Sequence, residues 1–137
     1  MAQSTSLKSK AYMVEKTVTL GVVSGTTVGP AVPANTMVIS AGIEFVTAAG
    51  SAGTSATVAV GDGVTANLAA VDMQAQAAGT ILGGVVPSFV SSADTIDAVL
   101  AVTGAGLVAA TARIWAVVVD VNENTKNADE VDRDTLA

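Results

Sequence analysis

Apolar and polar residues alternate between residues 12 and 20, and this alternation predicts a strand with one buried face. Val14, Val18 and Leu20 share that face. Lys16 falls on the same face, which leaves two interpretations. Either the strand assignment weakens at Lys16, or the strand lies at the edge of a sheet, where an inward-pointing lysine discourages further pairing.

The clearest predicted strand covers residues 36–47. One side of this segment carries Met37, Ile39, Ala41, Ile43 and Phe45. Ser40, Gly42 and Glu44 lie on the other side. Because successive side chains of a strand point to opposite faces, the apolar set is expected to face the core.

Further strands are predicted at 55–60, 80–82, 85–90, 95–103 and 112–121, with a turn at Gly61-Asp62-Gly63. Residues 21–34 are rich in Gly and Pro, which predicts a loop with at most one short strand around 26–28. Residues 65–77 contain good helix formers without clean alternation, which predicts a short helix. The spacing predicts an all-β fold, either an antiparallel β-sandwich or a jelly-roll-like barrel, with one short helix.

The last predicted strand is apolar on both faces. One face carries Ile114, Ala116 and Val118, and the other carries Trp115, Val117, Val119 and Val121. A strand that is apolar on both faces must be covered on both, so either a loop or another subunit lies against the second face. The candidate subunit interface therefore consists of Trp115, Val117, Val119 and Val121.

The chain length of 137 residues fits one domain. We expect a flexible N-terminal arm at 1–11, a β-sandwich domain at 12–121 and a charged C-terminal tail at 122–137. Lys8 and Lys10 lie in the arm, where they either keep the segment soluble or contact an acidic surface of a partner.

Charged residues make up only 13% of the chain, about half of the roughly 25% that is usual for a soluble domain. Either small neutral residues coat an ordinary monomer, or neighbouring subunits cover large areas, since interfaces are depleted in charge towards their centres. We favour the second interpretation, in which neighbouring subunits cover large areas of the surface. The net charge of −6 argues against a nucleic-acid partner, because such binding needs a basic face.

The chain has no cysteine and no histidine, and so lacks thiolate ligands and the commonest general base. Gly104 and Gly106 imitate a dinucleotide-binding turn, but the crossover helix is missing and Asp120 follows too soon. Asp94 and Asp97 lack the ligand spacing of a calcium loop. The sequence thus predicts no catalytic, cofactor or metal site and no enzyme. Glycines and prolines interrupt every apolar stretch before the ~20 residues of a membrane helix, and no secretory signal is expected.

Two runs of the sequence resemble the small head-decoration, or cement, proteins of tailed bacteriophages. They are TMVISAGIEFVTAAGSAGTSATVAVGDGVTANLAAVDMQAQAAGT and ADTIDAVLAVTGAGLVAATARIWAVVVDV. The similarity lies in the order of strands, a Gly/Thr-rich loop, a VGDG turn, a short helical stretch and a final valine-rich strand. It implies a β-sandwich, often trimeric, that sits on the outside of the capsid lattice and clamps neighbouring capsomers.

The resemblance implies a structural virion protein that stabilises the head. Its expected partners are the major capsid protein and two further copies in a homotrimer, at the capsid surface of a virion assembled in the host cytoplasm. Lys8, Lys10 and Tyr12 become candidate capsid contacts. The alternative is a receptor- or carbohydrate-binding module of a virion fibre or surface adhesin, which the shortage of aromatic residues disfavours.

Overall fold

The fold is known from a computed structural model that describes residues 11–49, 55–104 and 109–121. In these ranges the chain forms eleven strands. They are β1 (Ala11–Leu20), β2 (Gly25–Thr27), β3 (Ala31–Val32), β4 (Thr36–Phe45), β5 (Ser55–Gly61), β6 (Ala66–Asp72), β7 (Ile81–Gly84), β8 (Ser88–Val90), β9 (Asp94–Thr95), β10 (Asp97–Thr103) and β11 (Ala110–Asp120).

The strands pair antiparallel in two main sheets. The first sheet has the order β1-β11-β4-β7, with β8 also paired to β4, and the second has the order β2-β10-β5-β6. The strands also form a nested set of pairs along the chain. From the outside to the inside, these pairs are β1 with β11, β2 with β10, β3 with β9, β4 with β7 and β8, and β5 with β6. The chain is thus one long hairpin wrapped into two sheets, which is the jelly-roll arrangement. The predicted all-β fold is confirmed.

The hairpin reverses direction at the predicted Gly61-Asp62-Gly63 turn. The Asp62 carboxylate accepts hydrogen bonds from the backbone N–H groups of Val64, at 2.9 Å, and Thr65, at 2.7 Å. Gly63 has a φ of 90°, a conformation that suits glycine because it lacks a Cβ. An aspartate that bonds the backbone two and three residues ahead is a common turn former.

The core lies between the two sheets and consists mainly of Val, Ala, Ile and Leu side chains. The largest fully buried apolar residues are Leu20, Val32, Val38, Ile43, Phe45, Val58, Val60, Met73, Ile96, Ile114 and Val118. On β11, the residues Ile114, Ala116 and Val118 are fully buried. One of the two predicted apolar faces of this strand therefore packs in the core.

The prediction of a short helix at 65–77 is wrong, since no residue of this range is helical. Residues 66–72 form β6, in which Val71 pairs with Val58 and Leu68 pairs with Val60. The register shifts twice along this pair, so β6 is irregular and its burial does not alternate cleanly. Local helix propensity is a weak preference, and pairing with β5 together with burial of Leu68 overrides it.

The predicted inner face of β4 is correct only in its second half. Ala41, Ile43 and Phe45 are fully buried, whereas Met37 is 44% exposed and Ile39 is 42% exposed. The prediction that Met37 and Ile39 face the core is therefore wrong.

A β-bulge causes this reversal. Val117 pairs with Ser40, but the next residue of β11, Val118, pairs with Val38, so Ile39 is an extra residue in β4. An extra residue shifts the alternation by one position and moves every side chain beyond it to the opposite face. Val38 consequently takes the core position that strict alternation gives to Met37 and Ile39.

The structure places β1 at the edge of the first sheet, with Lys16 exposed. The edge interpretation of Lys16 is therefore confirmed. The segment 21–34 contains β2 and β3, one strand more than predicted. Residues 1–10 of the predicted arm and the tail at 122–137 lie outside the described residues.

Candidate interaction face

The side of the first sheet that is turned away from the core forms one surface, here called the outer face. It is defined by the register, since residues paired across antiparallel strands point to the same side. Its members are Ala11, Met13, Glu15 and Thr17 on β1; Arg113, Trp115, Val117 and Val119 on β11; Met37, Ser40, Gly42 and Glu44 on β4; Ile81 and Gly83 on β7; and Phe89 on β8.

One end of the outer face is apolar. Val117 pairs with Met13, and Val119 pairs with Met37, which in turn pairs with Phe89. Met13 is 58% exposed, Phe89 is 51% exposed and Met37 is 44% exposed. Contiguous exposed apolar side chains are a common feature of interaction sites. These five residues are called the apolar end.

A charged row crosses the other end of the outer face. Arg113 Nη1 donates to Glu44 Oε1 at 2.6 Å, and Arg113 Nε lies 4.0 Å from Glu15 Oε2. The three side chains are partly exposed, so solvent screens the pairs and they add little to stability. An apolar surface bordered by partly solvated charges has the anatomy of a protein interface.

Trp115 lies between the apolar end and the charged row, and its ring covers two glycines. It pairs with Gly42, which pairs with Gly83. A Cβ placed on Gly42 would lie 2.6 Å from Cζ2 of Trp115, and one placed on Gly83 would lie 2.9 Å from Cη2. The indole therefore extends from β11 across β4 to β7, and only residues without a side chain leave room for it.

Trp115 also forms one wall of a shallow depression. The other residues around this depression are Met13, Glu15, Glu44, Ile81 and Arg113. The depression thus combines apolar walls with two carboxylates and one guanidinium.

The predicted subunit interface is partly assembled in the structure. Trp115, Val117 and Val119 share the outer face and are half-buried, so the described part of the chain does not cover them completely. Val121 follows the end of β11, and its N–H donates to the Asn35 carbonyl at 2.9 Å. Whether another subunit covers this face stays a prediction.

Tyr12, one of the three predicted capsid contacts, does not lie on the outer face. Tyr12 pairs with the buried Val118, so it points to the opposite side of the first sheet from Trp115, and it is 40% exposed at the start of β1. Lys8 and Lys10 lie outside the described residues.

The sequence does not single out Met13, Met37 or Phe89 as members of the outer face. The alternation of β4 places Met37 in the core, because a β-bulge leaves no mark in that alternation. The position of Phe89 beside Met37 depends on the pairing of β8 with β4. A Met or Phe in a short apolar run has no local signal that separates an outward from an inward position.

The carboxylates considered for metal binding have structural roles. Asp97 Oδ1 accepts from the backbone N–H of Gly29 at 3.1 Å, and Asp94 Oδ1 accepts from that of Thr95 at 2.8 Å. Within the described ranges, no three acidic, histidine or cysteine residues come together as metal ligands. Over the same residues, the structure contains no helix with the length and apolar character to span a membrane.

No protein-family model matches the chain, and no curated protein matches its sequence. Chains of two phage capsid structures are among the solved structures that are similar to it in fold. A chain of the capsid asymmetric unit of cyanophage Pam1 has a TM-score of 0.61 at 14% identity, over 82% of this chain and 86% of that one. A chain of the acidic stable capsid structure of Helicobacter pylori bacteriophage KHP30 has a TM-score of 0.54 at 14% identity, over 80% of this chain and 89% of that one.

Proposed function

We propose that this chain is a structural virion protein that binds the outer surface of a phage capsid and stabilises the head by bridging neighbouring capsomers. The observation that carries the proposal is the apolar end, which presents exposed Met13, Met37 and Phe89 on one side of a jelly roll. The likeness to chains in two phage capsid structures supports a role in a shell. Because jelly rolls also occur in lectins and enzymes, this likeness in fold supports the proposal only together with the apolar end.

In this proposal the outer face joins copies of the chain into a homotrimer. Trp115, Val117, Val119 and Val121 form the contact together with the apolar end. Met13, Met37 and Phe89 are each about half exposed, and burying the exposed part contributes about 1 kcal/mol per side chain. Trp115 supplies the large aromatic anchor that is enriched among the residues that dominate interface energies.

The second contact joins the trimer to the major capsid protein. We assign it to Lys8, Lys10 and Tyr12, of which Tyr12 points to the opposite side of the first sheet from Trp115. Each contact is weak, but a trimer makes three at once, so binding to a repeating shell gains from avidity. The protein needs no catalytic step in this role, and its place is the capsid surface of virions assembled in the host cytoplasm.

The test uses the full chain and empty capsid shells that lack it. Light scattering after gel filtration is expected to give the mass of three chains, and electron microscopy is expected to show the protein at regular positions on the shells. Phe89→Ser removes an exposed aromatic side chain without opening the core, so it is expected to lower the mass while the circular dichroism spectrum stays unchanged.

Val99→Ser is the matched control, since Val99 is 44% exposed on the second sheet and lies outside the outer face. It is expected to leave the mass at three chains. A monomer at micromolar concentration that leaves the shells bare would contradict the proposal.

A further inference from the structure

We infer that Gly83 is a positioning residue for self-association. It sets how far the Trp115 ring stands above the first sheet, and a second copy of the chain packs against the outer face over that ring. The inference rests on the proposed function, in which this face is the contact between copies. Gly83 does not have to touch the second copy itself. It acts through the indole that lies over it.

The surroundings of Gly83 single it out among the glycines of the first sheet. A Cβ on Gly83 would lie 2.9 Å from Cη2 and 3.0 Å from Cζ2 of Trp115, and no other heavy atom outside its chain neighbours lies within 4 Å. Its φ lies outside the left-handed region, so the backbone accepts alanine. Gly42 differs, because a Cβ there would also collide with the carbonyl oxygen of Leu82. A glycine is therefore required at position 42 because of a backbone contact, and at position 83 only because of the Trp115 ring.

The ring orientation follows from shape rather than from a hydrogen bond. Nε1 of Trp115 is buried and has no hydrogen-bond partner among the described residues. A buried tryptophan usually directs its N–H towards an acceptor. Because the indole of Trp115 makes no such hydrogen bond within the described part of the chain, its packing against Gly42 and Gly83 holds it in place. Aromatic side chains are known to cover glycines in sheets in this way.

A small displacement of the ring is enough to weaken a tightly packed contact. An added Cβ at these distances forces the ring to rise or to swing aside. A gap of about 0.5–1 Å already forfeits a quarter to a half of the dispersion attraction between facing atoms. A raised Trp115 would hold the second copy away from Met13 and Val117 in the neighbouring apolar end, so the loss of contact extends beyond the ring.

The experiment uses the full chain with Gly83→Ala. Sedimentation equilibrium is expected to show self-association weakened by about tenfold, equivalent to ~1.4 kcal/mol. Trp115 is the only tryptophan of the chain, so its fluorescence reports the site directly. Its emission is expected to move to longer wavelength as water reaches the displaced ring. Gly21→Ala is the matched control, because nothing lies within 4 Å of a Cβ at Gly21, and neither measurement is expected to change.

A double substitution separates positioning from direct contact. Trp115→Phe removes both Cζ2 and Cη2, and by itself weakens association. Adding Gly83→Ala to Trp115→Phe is then expected to cause no further loss, since the two residues act through one interaction. If the two losses add, Gly83 acts independently of the ring and the inference is overturned. The inference also fails if Gly83→Ala lowers only the free energy of unfolding and leaves association unchanged.

The outcomes distinguish this inference from the proposed function. A wild-type chain that does not associate at all contradicts the proposed function. A wild-type trimer that Phe89→Ser disrupts, but that Gly83→Ala leaves intact, keeps the proposed function and rejects the positioning role.

Discussion

Asn67 is a buried polar residue that joins the two sheets at one edge of the barrel. It lies on β6 of the second sheet and is 1% exposed. Its Nδ2 donates to the Val86 carbonyl at 2.8 Å, in the segment between β7 and β8, and to Ser88 Oγ at 3.0 Å, at the start of β8 in the first sheet. A Cβ on Gly84 would collide with the backbone of Asn67, so the two strands approach closely here.

We expect Asn67→Ala to destabilise the protein by about 1 kcal/mol or slightly more, because it leaves the Val86 carbonyl without its donor. The loss of stability stays at the lower end of the usual range, because Oδ1 of Asn67 is buried without a partner among the described residues. Removing this oxygen recovers part of the free energy that its burial costs. Urea unfolding measures the change. Ser88→Ala removes only one of the two acceptors and is expected to cost less. An Asn67→Ala variant as stable as wild type would show that these hydrogen bonds do not stabilise the contact between the two sheets.

Strand β1 is a long element at the edge of the first sheet. All ten of its residues pair with β11, whereas its other side has no strand partner among the described residues. An edge of this length is a template for pairing with another chain. Lys16 is exposed near the middle of β1, between Val14 and Val18 on the same side of the strand. A charge at this place opposes further pairing along the edge.

Lys16→Val is expected to raise the tendency of the folded protein to form large aggregates, because it removes the charge and adds a residue that favours strands. Light scattering during incubation at moderately raised temperature detects this change. Lys16→Arg keeps the charge and is expected to behave as wild type. If Lys16→Val stays as soluble as Lys16→Arg, the lysine does not protect this edge.

The described part of the molecule is a set of nested strand pairs, and the outermost pair joins its first strand, β1, to its last strand, β11. Ala11 pairs with Val119, and Trp115 of β11 lies beside both β1 and β4. Most contacts therefore connect residues that are far apart in the sequence. Long loops must close before such contacts form, and this slows folding.

We expect refolding in the range of milliseconds to seconds, as in other folds dominated by distant strand pairs. Stopped-flow dilution from urea, followed by Trp115 fluorescence, measures the rate. Repeating the measurement over a range of protein concentrations separates folding from association, since only association depends on concentration. Refolding within microseconds would be incompatible with a structure built from these pairs.

The amino-acid sequence by itself determined most of the strands, the core face of β11 and the turn at Asp62, and it gave the edge position of β1 as one of two interpretations of Lys16. Each of these has a local cause: alternation of period two, a Gly-Asp-Gly turn, or a lysine within an apolar pattern. The tertiary structure alone decided that residues 66–72 form a strand, that Met37 and Phe89 face outward, and that Gly83 lies under Trp115. These features depend on pairing between distant segments, and a single extra residue at Ile39 reverses a face without any local signal.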